Sequence, residues 1–456
     1  MKQTSLIQKL EQFFWLFLFV NPFLDILNGV YMKLIAGIGV LDVETTLTSI
    51  TPTLVIRMLV LLLFGFYLLL LKDTRAIGMI LPIGIAWALS LVSEYTNFGS
   101  ISLFVDLQYI ARFGYNIVLL MILTHVFYGR WVRDGKDALL EELNLLIRFT
   151  LLVLSLSILI SSLLDIGYHT YADPLGYRGS RGFFYAGNDV TAILILLLPL
   201  SMAQLMRSSV SDGWMPLLSR ALPFALGLIT LLVIGSKTAF LGAGVTVAAM
   251  LLFAIVTSFR KNRACLRMVL IVLAVCIVLF GVLLLLSPGL LNTIRTSLST
   301  ILQVLKTEDI ANALLSGRQY KMLTQLRFLV IDCNTLAWLF GMGRGAWDLT
   351  AEMDVFEVLL YYGFFGLFTM LRAYLLLGHQ FLRNLSKQFD LTAFSLLLSL
   401  GLATGYLFIA GHVLFSVTAG FYYSFMFIYS RVYFAKGEQD IFWKGVTPHE
   451  PRSLNS

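Results

Sequence analysis

The chain has 456 residues, 58% of them hydrophobic and only 13% charged, with a mean hydropathy of +0.85. No soluble core of this size needs that composition, so the sequence reads as a polytopic membrane protein. The net charge of +7 is mostly a topology signal and does not argue for a nucleic-acid partner.

Apolar runs long enough to cross hydrocarbon recur about twelve times. They start near Phe13, Ile50, Ala76, Ile101, Leu146, Asp189, Leu217, Thr238, Arg267, Val355, Leu391 and Leu414. The fold class expected is an all-α polytopic bundle with one large extracytoplasmic loop. The first run lacks a small-residue cleavage site and reads as a retained span. Cations collect in alternate connections: Lys2 and Lys9, Lys72 and Arg75, Arg130 to Arg148, Arg207 and Arg220, Arg260 to Arg267, Arg383 and Lys387, then Arg431, Lys436 and Lys444. The positive-inside rule places these connections and both termini in the cytoplasm. The organisation expected is nine spans over 1–288, a loop domain over 289–354, three spans over 355–434 and a cytoplasmic tail over 435–456. That tail is polar and is expected to lack fixed structure.

Within the spans, Arg57, Arg112 and Arg372 are costly unless each finds a partner. Asp25, near the same depth, is the partner expected for Arg57; the other two read as structural. Five further cations, Arg178, Arg181, Lys237, Arg318 and Arg344, fall on the outer side, against the usual bias. Outward cations beside apolar spans point to an anionic ligand.

Arg178 and Arg181 lie in a Gly-, Tyr- and Arg-rich stretch, Asp165 to Asn188, before a helix that starts near Asp189. Guanidinium forks and a helix N-terminus suit a pyrophosphate, and contact with lipid headgroups or pairing with Asp165 or Asp173 is the alternative. Lys237 follows a tight Gly235-Ser236 turn, where it either completes that anion site or snorkels.

The loop from Gly289 to Asp354 repeats apolar residues at helical spacing, Leu298, Ile301, Leu302 and Leu305, as expected of amphipathic helices at the membrane surface. Its end carries Gly341, Gly343 and Gly345 around Arg344, then Glu352, Asp354 and Glu357. A carboxylate here serves either as general base for a sugar hydroxyl or as a helix cap. His412, between the last two spans, is a second acid-base candidate or a packing residue. The His residues are scattered and Cys265, Cys276 and Cys333 form no pattern, so neither a metal, a cofactor nor a disulfide framework is expected.

The Arg181 to Asn188 segment, the Gly-Ser-Lys turn at Gly235, the late outer loop and the Gly341 to Gly366 stretch together resemble the O-antigen ligase and polysaccharide polymerase family from about the fifth span onward. These are membrane glycosyltransferases that use undecaprenyl-pyrophosphate-linked sugars. The resemblance implies a GT-C-like fold in the bacterial cytoplasmic membrane, with the active site on its outer face. It also implies a lipid-linked glycan donor, a glycan acceptor, and pyrophosphate contacts at Arg181 and Arg178. Lys237 stands where the family commonly has a second Arg, and Arg318 and Arg344 would hold the glycan from the loop. Ligases of the family use a His near the end of the long loop. None lies between Gly289 and Asp354 here, and Glu352 to Asp354 occupies the comparable place, as in polymerase-like branches. The function expected is polymerisation of repeat units, with a ligase or a lipid-linked oligosaccharide flippase as alternatives.

Overall fold

The chain is seen in a computed structural model that describes residues 2–37, 51–173, 176–207, 213–259, 263–286, 288–307, 312, 315–347, 350–411 and 413–442. Its helices are α1 Lys2–Val30, α2 Pro52–Leu71, α3 Thr74–Phe98, α4 Leu103–Asp134, α5 Lys136–Leu163, α6 Gly187–Met206, α7 Trp214–Ile234, α8 Lys237–Phe259, α9 Arg263–Leu286, α10 Pro288–Thr307, α11 Arg318–Ile331, α12 Thr335–Phe340, α13 Asp354–Leu385, α14 Leu391–Ile409 and α15 Val417–Phe434. Among the described residues ten helices are long and apolar enough to cross a membrane. They are α1 to α8, α13 and α14. Of the remaining expected spans, α9 has a shorter apolar stretch, Leu266–Val282, and α15 is an apolar helix buried along nearly all its length.

Polar caps set the helix starts. Thr51 accepts from the Leu54 N–H ahead of α2, Asp390 from Ala393 ahead of α14, and Ser416 from Thr418 and Ala419 ahead of α15. The bundle is built around α6, whose apolar stretch is 94% buried against 22% for α2. Helices α5, α7, α8, α14 and α15 pack on α6. Outward apolar side chains such as Leu62 and Leu69 on α2 and Phe259 on α8 give the rim the surface that lipid requires.

The alternate connections gather at two opposite ends. At one, Lys136 Nζ donates to the Tyr433 and Ala435 carbonyls and His125 Nε2 lies 2.7 Å from Asp73. At the other lie the link between α5 and α6, the α7–α8 turn, α10 to α12 and the α14–α15 turn. The α5–α6 link, in a fold expected to be all-α, is a β-hairpin. Strands β1 Tyr168–Asp173 and β2 Gly176–Gly182 pair antiparallel, with Tyr171 opposite Arg178. The tail also departs from expectation. Residues 438–441 form a 3₁₀ turn, because Ile441 and Phe442 are apolar enough to bury and the Phe442 ring meets His125 and Tyr128. Residues 443–456 lie outside the described residues.

Arg57 finds the partner expected of it: its Nη2 lies 2.5 Å from Asp25 Oδ1, and Thr418 donates to the same oxygen at 2.6 Å. Arg112 lies over the Tyr109 ring at 5.5 Å. Removing one member of a buried ion pair leaves the other uncompensated. Arg57→Met should therefore cost about 3–5 kcal/mol. It should lower the thermal unfolding midpoint in detergent, and the double replacement Arg57→Met with Asp25→Leu should restore most of the loss.

Candidate functional site

At the hairpin end, the segments carrying Arg178, Arg181 and Lys237 pack together. Thr170 on β1 donates to the Ile234 carbonyl at the end of α7 at 2.7 Å, which docks the hairpin on the α7–α8 turn. Gly235, at φ 70, is squeezed there: a Cβ would stand 2.7 Å from Ser297 Oγ on α10 and 3.5 Å from the Gly179 Cα. Lys237, the first residue of α8, sits in that contact zone, with Nζ 3.4 Å from Ser316 Oγ. Arg178 belongs to the same strand as Arg181, but its side chain lies outside the described residues.

Arg181 is the most unusual cation of the group. Its guanidinium lies 5.5 Å from the Tyr168 ring and 5.9 Å from the Tyr185 ring. Its Nε is sealed from solvent and has no hydrogen-bond partner among the described residues, nor does the side chain form an ion pair there. Burial pushes the guanidinium below the usual arginine range, opposed by the surrounding Tyr185, Tyr168 and Tyr171 hydroxyls. It also lies beside Gly187, where α6 begins: a Cβ there would stand 3.2 Å from Arg181 Cδ. A desolvated cation beside the positive end of a helix is an arrangement that an anion would stabilise.

Tyr171 links this cation to the next, because it interacts electrostatically with both Arg318 and Arg181. Arg318 opens α11, and its guanidinium reaches Glu352 at 3.0 Å, while Lys321 one turn on reaches the other Glu352 oxygen at 3.0 Å. Glu352 holds a left-handed backbone, φ 58, and its N–H donates to Glu357 Oε1 at 2.8 Å. Tyr406 of α14 closes the side of the group, donating to the Asn188 carbonyl at 3.1 Å and interacting with Arg318, Asp189 and Tyr171. Asp189 in turn accepts from Ser416 at 2.6 Å.

The carboxylates expected together have separate surroundings. Glu352 is accessible, whereas Asp354 is fully buried and its Oδ2 accepts the Val413 and Leu414 N–H groups at 2.7 and 2.9 Å. Asp354 thus ties the start of α13 to the α14–α15 turn, which also abuts Glu352 through Gly411. In this arrangement neither water nor substrate reaches Asp354, and it fastens the α14–α15 turn; the N-cap position of α13 belongs to Met353. His412 lies outside the described residues. Asp354→Asn keeps the shape but exchanges an ionised acceptor for a neutral one, so about 1–3 kcal/mol of stability should be lost. Glycan transfer should fall only in proportion to folded protein, as unfolding curves and assays on the same preparation would show.

Arg344 stands apart from the cation group. It is 5% exposed, donates to the Trp347 carbonyl and lies over the Tyr109 and Tyr361 rings at 5.5 and 6.0 Å. The glycines around it serve the same anchoring. Asp106 of α4 accepts the Arg344 N–H and, at 3.1 Å, the Gly345 N–H, and a Cβ on Gly343, at φ 65, would stand 2.6 Å from the Asp106 carboxylate. Steering of a glycan by Arg344, expected from sidedness, has no geometric support. The residue fastens the end of the loop to α4 and α13.

Helix α10 presents Ile294 and Ser297 inward and leaves Leu298 and Leu302 exposed, as a helix resting on a lipid surface would. Sequence reasoning missed the Tyr168, Tyr171, Tyr185 and Tyr406 frame and the Lys321 contact. The Tyr-rich hairpin was the available signal, but which rings face Arg181 depends on strand register.

The family of O-antigen ligase like membrane proteins matches residues 7–301, well over half of the chain. The chain belongs to that family. The match begins earlier than the resemblance read from the fifth span onward. It includes Arg178, Arg181 and Lys237 and ends before Arg318, Glu352 and Asp354. Among curated proteins none matches the chain. As an O-antigen ligase-like protein, this is a glycan-processing membrane protein of glycosyltransferase-like type, whose family implies lipid-linked glycan and acceptor substrates.

Proposed function

We propose that this O-antigen ligase-like protein transfers a glycan from an undecaprenyl-pyrophosphate-linked oligosaccharide on the outer face of the bacterial cytoplasmic membrane, polymerising repeat units of a surface polysaccharide. The observation that carries this reading is the Arg181 guanidinium, held beside the Tyr168 and Tyr185 rings with its Nε sealed from solvent and no carboxylate among the described residues paired with it. A diphosphate supplies the missing charge. Arg181, with Arg178 and Lys237 from the adjoining segments, stabilises the negative charge that grows on the leaving oxygen as the bond from sugar C1 breaks. The acceptor hydroxyl forms the new bond to C1 and gives its proton to Glu352. No metal enters the scheme.

Glu352 fits that role better than Asp354 because it is reachable, and its pairing with Arg318 and Lys321 gives the step an order. An arriving diphosphate competes for those two cations and releases the carboxylate to take a proton. Tyr171, which is exposed, flanks the sugar. The alternatives are separated by product. Purified protein given a synthetic lipid-diphosphate oligosaccharide should build a ladder of longer lipid-linked chains. Transfer only to an added non-lipid-linked acceptor would make it a ligase. Movement across a vesicle bilayer without new bonds would make it a flippase and overturn the proposal.

A further inference from the structure

The outer end of α1 carries a further cation, Lys33, against the hairpin. Residues Tyr31–Ile35 continue α1 as a π-helical turn, a rare form that often marks functional sites. Lys33 is half-buried in this turn, and its Nζ donates to the Gly167 carbonyl just ahead of β1. The same ammonium lies 5.1 Å from the centre of the Tyr168 ring, over which the Arg181 guanidinium also lies, at 5.5 Å. One ring therefore serves two cations. Tyr168 is only 3% exposed, so its orientation is set by these neighbours and not by solvent.

A second route from Lys33 to Arg181 runs through the backbone. Gly167 closes the base of the hairpin on Gly182, the residue after Arg181: a Cβ on Gly167 would stand 2.9 Å from the Gly182 Cα. Gly182 itself holds a positive φ of 59. On the other side, Gly29 of α1 lies against the Phe183 carbonyl too closely for any side chain to fit. The outer end of α1 thus grips Gly167 and Tyr168 ahead of the hairpin and Phe183 beyond it, and Arg181 lies between. Asp165 also attracts Lys33, but its side chain is exposed and solvent screens the attraction. The carbonyl and the ring fix where the ammonium sits.

We propose that Lys33 is a positioning residue for Arg181, holding the guanidinium in place through the Tyr168 ring and the base of the hairpin. Lys33 itself does not touch the ligand. The consequence for binding rests on the diphosphate reading of Arg181; the positioning does not.

Two measurements on the purified full-length protein test this separately. Without ligand, K33Q should raise amide hydrogen exchange over residues 168–184 roughly tenfold, and K33R should restore the parent's protection. With ligand, K33Q should weaken binding of an undecaprenyl-diphosphate glycan about fivefold, and K33R should recover it. The double variant K33Q/R181A should bind no more weakly than R181A, because Lys33 acts only through Arg181. Should K33Q fail to fold, K33M, which keeps the length of the apolar stem, takes its place with the same expectations. Parent-like exchange in the variant would overturn the proposal, and so would a further loss of affinity in the double variant, which would mean that Lys33 meets the ligand directly. A parent that binds the diphosphate lipid no better than its monophosphate counterpart would sink the diphosphate reading instead, and the exchange result would still decide the place of Lys33.

Discussion

Arg181→Ala should lower glycan transfer by about 10²–10³-fold, the cost of removing one preorganised donor from a developing oxyanion. The same substitution should leave the unfolding midpoint unchanged or raise it. The two expectations have one cause. A guanidinium enclosed by Tyr168 and Tyr185, with a sealed Nε, bears its desolvation in the empty protein and recovers it only when an anion arrives. Arg181→Lys keeps the charge but loses the planar fork, so it should recover only part of the rate. A variant that loses activity together with its fold would assign Arg181 a packing role instead.

Glu352→Gln should lower turnover by about 10²–10⁴-fold, the range for losing a general base. The donor KM should stay constant or fall. The carboxylate now occupies Arg318 and Lys321, and a neutral amide gives those cations up to the diphosphate more readily. This split between kcat and KM separates a base from a latch: a pure latch would be weakened by the amide, with donor binding changed and kcat preserved. Replacing Arg318 tests the opposite partner. Arg318→Gln should raise the donor KM, because it removes a cation from the path between Tyr171 and Tyr406.

Much of the architecture is legible in the sequence because hydrocarbon imposes simple requirements. Long apolar runs and alternating cations mark the helices and their two ends, and depth along α2 is enough to match Arg57 with Asp25. The site is legible only in part. Sidedness singles out Arg181, but its significance comes from what does not pair with it, and that requires coordinates. Glu352 and Asp354 are two residues apart and chemically alike in sequence. Their difference arises because Asp354 meets the backbone of a turn some sixty residues later, whereas Glu352 adopts a left-handed conformation that turns it toward α11. The Gly341 to Gly345 stretch resembles a ligand loop for the same reason that it binds Asp106: successive backbone N–H groups cradle an anion, and the anion here is supplied by the protein itself.

On the function proposed above, the hairpin end reads a diphosphate. The most direct test is the affinity of the purified protein for an undecaprenyl-diphosphate glycan against the monophosphate with the same glycan. The diphosphate should bind at least roughly tenfold more tightly, a difference of about 1.4 kcal/mol, and Arg181→Ala should close most of that gap. Equal affinity for the two lipids, or a preference that survives Arg181→Ala intact, would exclude a diphosphate site at Arg181.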